Sequence, residues 1–135
     1  MIGSTLGTRR QLQGILFLLV IHSTATGFGL FLLPEKWFQF LGLEVGLQRF
    51  FVSQGGVFHL LMAGAYLAGM LHPRRFVVLV KYAIVVKVCA AVFLIFYFLF
   101  VHGVVFILLN GVIDACLGWL VWIGLRQFLN ENDHD

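Results

Sequence analysis

Residues 104–125 read VVFILLNGVIDACLGWLVWIGL, an apolar run of membrane-spanning length with one carboxylate, Asp114, at its middle. A transmembrane helix needs about 20 mostly apolar residues. An ionised side chain at the bilayer centre costs at least ~2.5–3.5 kcal/mol, so such a group is normally paired or functional. The stretch therefore predicts a membrane helix, and it requires a partner for Asp114 elsewhere in the chain.

The composition of the 135-residue chain is that of a membrane protein. Hydrophobic residues make up 61% and charged residues 11%, whereas soluble domains have roughly 45–50% and about 25%. The net charge is +3, but the basic residues form short clusters beside apolar runs, which is typical of orientation signals and indicates no nucleic-acid partner. The two cysteines, Cys89 and Cys116, fall inside apolar runs, so we expect them to be small buried residues.

Four apolar stretches are long enough to cross a membrane. We predict spans at about 14–33, 50–71, 76–101 and 104–125, with the first closed by Pro34. The connections after the second and third spans are short, so consecutive helices are expected to run in opposite directions. The predicted fold is an all-α membrane protein, a single antiparallel bundle of four transmembrane helices.

The segment between the first two spans, residues 35–49, is too short and too charged to cross the membrane. Its mixture of aromatic and charged residues suits a segment in the headgroup region, with Trp37 and Arg49 as interfacial residues, although an ordered loop that caps the bundle fits equally well. Arginines cluster on the opposite predicted side: Arg9, Arg10, Arg74, Arg75 and Arg126. Because cytoplasmic loops carry an excess of basic residues, both termini are predicted to face the cytoplasm.

Each predicted helix places one ionisable group at a similar depth. Lys87 lies about eleven residues from the start of the third span and Asp114 about eleven from the end of the fourth, so both are roughly 16 Å deep. His22 and His59 fall at comparable depth on the first and second spans, and Asn110 shares a helix stripe with Asp114. We predict a mid-membrane polar layer in which Lys87 and Asp114 form a buried ion pair.

Two interpretations of this layer are open. The ion pair can serve only to fix helix register, or the layer can bind a polar headgroup or relay a proton. Haem b held by His22 and His59 is geometrically feasible, but no stronger haem signature accompanies the two histidines. The spacing of the potential ligands does not indicate a metal-ion site.

Several separate sequence features are spread over most of the chain. They are Leu32-Leu33-Pro34 at the end of the first span, Arg49 opening a glycine-rich second span, the Pro73 turn, Lys87 in the third span, and Asp114 followed by Leu117-Gly118 in the fourth. In these features the chain resembles the small four-span bacterial membrane proteins of the DoxX-like group. The named members of that group look like membrane subunits of sulfur-compound:quinone oxidoreductases. The resemblance implies a four-helix bundle in a bacterial plasma membrane with a link to quinone or redox partners, and it implies no catalytic residue.

The leading functional hypothesis is an integral membrane subunit or small oligomer that binds a lipophilic molecule, a quinone or lipid, at the polar layer and anchors a redox or respiratory assembly. Its expected partners are membrane lipids and either other membrane subunits or further copies of the chain. The alternative is a proton-coupled small-molecule transporter that acts as a dimer, with Asp114 or His59 coupled to protons. An enzyme acting by itself is disfavoured, because the sequence has no Ser-His-Asp set and no phosphate-binding loop.

Overall fold

The computed structural model describes residues 2–44 and 49–132, and within these ranges it is all-helical, with no strand. The helices are α1 (Ile2–Leu32), α2 (Glu35–Phe40), α3 (Phe50–Leu71), α4 (Val77–Phe100) and α5 (Val105–Asn132). All except α2 are long and apolar enough to cross a membrane. The predicted all-α fold with four helices of spanning length is confirmed, and these helices indicate an integral membrane protein.

Two of the helices extend well beyond the predicted spans. α1 begins at Ile2 rather than near residue 14, and α5 continues past residue 125 to Asn132. The extensions pack on the bundle, since Leu12 is fully buried and Thr8 Oγ1 donates a hydrogen bond to Glu131 Oε2 at 2.5 Å. The prediction from apolar runs ended at the apolar residues, and these helical extensions also contain polar side chains. The helix nevertheless continues through them.

The four long helices form a ring of neighbours. α1 packs mainly on α3 and α4 mainly on α5, while α1 also contacts α5 and α3 contacts α4 less extensively. α1 and α4 are therefore diagonal in the bundle. Gln13 Nε2 donates to the Met70 carbonyl at 2.9 Å, and Arg49 Nη2 donates to the Leu33 carbonyl at 2.7 Å. These bonds hold the first half of α1 beside the end of α3, and the start of α3 beside the end of α1.

α1 and α3 approach closely at Gly27 and Gly56. A Cβ on Gly27 would lie 2.8 Å from Leu60 Cγ and 3.0 Å from the Gly56 carbonyl oxygen, and a Cβ on Gly56 would lie 2.9 Å from the Gly27 carbonyl oxygen. No other residue fits at either position without displacing the partner helix. Small residues allow membrane helices to pack at short range, and this crossing is the close packing that the glycine-rich sequence of α3 predicts.

The main cluster of buried hydrophobic residues occupies one half of the bundle. Its members precede His22 on α1, follow His59 on α3, precede Lys87 on α4 and follow Asp114 on α5. They are Leu12, Leu16, Leu19, Tyr66, Val80, Ala83, Leu117, Val121, Leu125 and Phe128. We call this region the packed half, and it contains the ends of the helices that carry the arginine clusters.

The prediction that the two cysteines are buried was wrong. Cys89 and Cys116 are both exposed, on the outer faces of α4 and α5. In a lipid environment the outer face of a helix is itself in contact with apolar groups, so a small apolar side chain gains little from lying inside the bundle. Their position in an apolar run could not distinguish the two faces of the helix.

Candidate functional site

Lys87 of α4 and Asp114 of α5 meet inside the bundle. Lys87 Nζ lies 2.5 Å from Asp114 Oδ1, and the two side chains are 3% and 6% exposed. Gly118, one helical turn beyond Asp114, permits the close approach, because a Cβ there would lie only 3.1 Å from the Cβ of Lys87. The structure thus brings together the two residues that the depth count paired.

His22 reaches the same ion pair from the diagonal helix. Lys87 Nζ lies 3.3 Å from His22 Nδ1. An ammonium group has only donors, so in this contact Nδ1 is the acceptor and the imidazole carries its proton on Nε2. The lysine therefore links three helices, α1, α4 and α5, through one charged atom.

A cavity of about 440 Å³ extends from the polar layer toward α2. Its polar lining residues are His22, Thr26, His59, Asn110 and Asp114. The rest of the lining is small or apolar and includes Leu30, Leu33, Phe38, Leu41 and Phe106. Ligand cavities typically have volumes of about 300–1,000 Å³ and mostly apolar walls with a few polar groups, and this main cavity has both properties.

The polar layer is the boundary between the packed half and the main cavity. The cavity residues follow His22 on α1 and precede Asp114 on α5, in the opposite direction to the core residues. From His22 to Leu30 the cavity wall runs along α1 for about 12 Å. Lys87 is 2% exposed, and it contacts both Asp114 and His22, which form the polar end of the cavity.

α2 forms the opposite end of the main cavity, and Arg49 contacts its Phe38 side chain. Phe38 of α2 lines the cavity and is only 3% exposed. The guanidinium carbon of Arg49 lies 5.8 Å from the centre of the Phe38 ring, and Arg49 also donates to the Leu33 carbonyl. Arg49, predicted as an interfacial residue, thus joins α3 to α1 and α2, whereas Trp37 is half exposed. Residues 45–48 lie outside the described part of the chain.

The remaining predicted residues occupy different positions in the site. His59 lines the main cavity from α3. Asn110 lines it too, but its Nδ2 donates to the Phe106 carbonyl of its own helix at 2.8 Å. Thr26 was not among the predicted site residues. Its position one helical turn after His22, on the same helix face, could have identified it. Within residues 2–44 and 49–132, no group of three His, Cys, Asp or Glu side chains could hold a metal ion.

Comparisons of the chain with protein-family models, with curated proteins and with solved structures found no match. The chemistry of the site is therefore inferred from its own geometry. The decisive features are an apolar cavity of ligand size, a neutral ion pair and two imidazoles at one end of it, and a packed core behind that end.

Proposed function

We propose that this protein is an integral membrane subunit or small oligomer that binds a lipophilic molecule, a quinone or lipid, with its polar head at the layer formed by His22, His59, Lys87 and Asp114. The observation that carries the proposal is the main cavity, whose apolar walls lead to that layer. Such a cavity favours an amphiphile with a compact head and a hydrocarbon body.

The hydrogen-bonding groups of the layer suit an uncharged head. The Lys87 and Asp114 charges offset each other at 2.5 Å, so a charged head would add an unpaired charge to a buried site. His22 offers an N–H donor at Nε2, and Asp114 offers carboxylate oxygens as acceptors. A quinone or ester carbonyl would accept from the imidazole, and a quinol hydroxyl would donate to the carboxylate.

We place the four long helices across a bacterial plasma membrane as an antiparallel bundle, with both termini at the cytoplasmic side. Exposed arginines at the packed end support this orientation, because cytoplasmic ends of membrane helices are enriched in basic residues. The opposite end, with α2, would lie in the outer headgroup region. The DoxX-like resemblance supports a role as an anchor within a larger redox assembly.

Haem held by His22 and His59 is the less favoured cofactor. Both imidazoles line the main cavity, so they face a shared space. However, the Lys87 ammonium contacts His22 Nδ1 at 3.3 Å, whereas histidines that bind a metal usually donate their second nitrogen to a carboxylate or carbonyl. This environment suits a neutral organic head better than a cationic iron centre.

The test is native mass spectrometry of the protein released from its own membrane in mild detergent. Thr26→Phe fills the main cavity, and Val85→Phe places the same side chain on an exposed face of α4, where Val85 is 53% exposed. We expect wild type and Val85→Phe to retain a quinone or lipid and Thr26→Phe to lose it. A wild-type chain that carries no such molecule would contradict the proposal.

The transporter alternative has one favourable observation, which is that the Asp114 carboxylate lines the main cavity and can meet a solute there. A bare dimer of the 15.2 kDa chain in the same mass spectra would favour it. A pH-dependent flux in proteoliposomes that Asp114→Asn abolishes would then establish it, whereas an unchanged flux would remove it.

A further inference from the structure

A second cavity of about 290 Å³ lies at the α2 end of the bundle, where the connection between α4 and α5 meets the segment after α2. Glu44, Tyr97 and His102 give it a polar lining. Glu44, His102 and Val101, which also lines it, are exposed, so this cavity reaches the protein surface. We call it the vestibule.

Two side chains separate the vestibule from the main cavity. Leu43 and Ile107 line both spaces, and both are half-buried. The position of Leu43 is held by its backbone N–H, which donates to the Phe38 carbonyl at 2.8 Å. Gly42 supplies the turn with φ +78°, a conformation that favours glycine. Leu43 and Ile107 therefore lie between a polar, surface-open space and the space that contains Asp114.

The other direction from the polar layer is closed. Leu16, Leu19 and Val121 are 0% exposed, and Leu117 is 9% exposed. Such a dense apolar core excludes water. The main cavity itself meets exposed residues at Ala25 and Phe106, on apolar stretches of α1 and α5, whereas the vestibule adds a polar opening at the α2 end of the bundle.

We propose that the vestibule is the aqueous entrance to the polar layer. Water, protons and small hydrophilic solutes reach His22 and Asp114 from the α2 end, and Leu43 with Ile107 controls their passage. The acidic Glu44 at the mouth favours cations over anions. The inference rests on the proposed function for the identity of the head site, and it adds that this site exchanges with water on one side only.

The experiment measures access with a thiol reagent rather than with the ligand. Thr26→Cys is a nearly isosteric reporter inside the main cavity, built into a chain with Cys89→Ser and Cys116→Ser. The probe is 2-aminoethyl methanethiosulfonate, a small water-soluble cation, and native mass spectra give its rate of addition to ligand-free molecules. We expect the reporter to react.

The role of Leu43 and Ile107 is tested by enlarging their side chains. Leu43→Trp should slow the reaction at least about tenfold, equivalent to ~1.4 kcal/mol in the barrier, and Leu43→Ala should accelerate it. The matched control is Val105→Trp, at a residue that is 63% exposed and lines neither cavity. Ile107→Trp serves as a second blocking variant if Leu43→Trp fails to fold.

The outcomes separate this inference from the proposed function. An unreactive reporter, or blocking variants that react as fast as Val105→Trp, would overturn the entrance. A reporter that behaves as expected in a wild-type background that retains no quinone or lipid would sustain the entrance and contradict the proposed ligand. If the wild-type protein retains a quinone or lipid but substitutions of Leu43 and Ile107 do not change the reaction rate of the reporter, the entrance is overturned and the proposed ligand is sustained.

Discussion

Lys87 Nζ lies 2.5 Å from Asp114 Oδ1, and this contact is where the packed half of the bundle meets the main cavity. The same pair is a neighbour of core residues on one side and of the cavity wall on the other. A structural role and a binding role therefore fall on the same two residues. Substitutions that keep the fold but remove the charges can separate these roles.

Removing one member of the pair should destabilise the protein strongly. Lys87→Met leaves the Asp114 carboxylate buried without its counter-ion, and we expect a loss of ~3–5 kcal/mol in the free energy of unfolding. The measurement is reversible unfolding in mixed detergent micelles. Lys81→Met, at an exposed lysine on the same helix, should change the stability by less than about 0.5 kcal/mol. Equal losses in the two variants would show that Lys87 is not paired as described.

Removing both charges should be far milder. Replacing a buried ion pair by apolar residues is often neutral or stabilising by about 1–4 kcal/mol. We therefore expect Lys87→Met combined with Asp114→Leu to recover most of the stability lost in either single variant. The double variant should nevertheless lose the bound lipophilic molecule in native mass spectra. A double variant as unstable as Lys87→Met alone would indicate that the pair is required for helix register.

The crossing of α1 and α3 should tolerate no side chain. Gly27→Ala would bring a Cβ within 2.8 Å of Leu60 Cγ and 3.0 Å of the Gly56 carbonyl oxygen, so we expect a loss of ~1–3 kcal/mol from overpacking. Gly64→Ala is the matched control on α3, because a Cβ there meets nothing within 4 Å. The control should gain ~0.5–1 kcal/mol from better helix propensity. Similar changes at both sites would contradict the close crossing.

Arg49 should hold α2 over the main cavity. Arg49→Met loses the hydrogen bond to the Leu33 carbonyl and the contact with the Phe38 ring, and we expect ~1–3 kcal/mol of destabilisation. Amide hydrogen exchange in residues 35–43 should accelerate, because this segment would open locally at lower cost. Lys36→Met, at an exposed residue of α2, should leave the exchange unchanged. Unaltered protection in Arg49→Met would show that other contacts hold the segment.

The sequence predicted the helices of spanning length and the partner of Asp114, because both depend on local signals. An apolar run reports a spanning helix by its length, and residue counting converts position into depth. Lys87 and Asp114 are isolated charges in such runs, so their depths could be compared directly. His22 and His59 were placed in the layer by the same count, and both line the main cavity.

The location of the cavity could not be predicted in this way. Leu16 and Leu19 are core residues, whereas Leu30 lines the main cavity, and all three are leucines of α1. Whether a leucine meets another side chain or an empty space depends on how far apart the neighbouring helices lie. That separation depends on contacts between distant residues, such as the Gly27 crossing with α3.

The entrance on one side has an electrical consequence. When the two halves of a bundle differ in hydration, the membrane voltage falls mainly across the dry half, because its dielectric constant is lower. A unit charge that crosses the whole membrane changes in energy by about 2.3 kcal/mol per 100 mV, but a proton that reaches Asp114 through the vestibule crosses only the hydrated part. A charged solute that enters the site from the compartment beside α2 would then respond only weakly to the voltage.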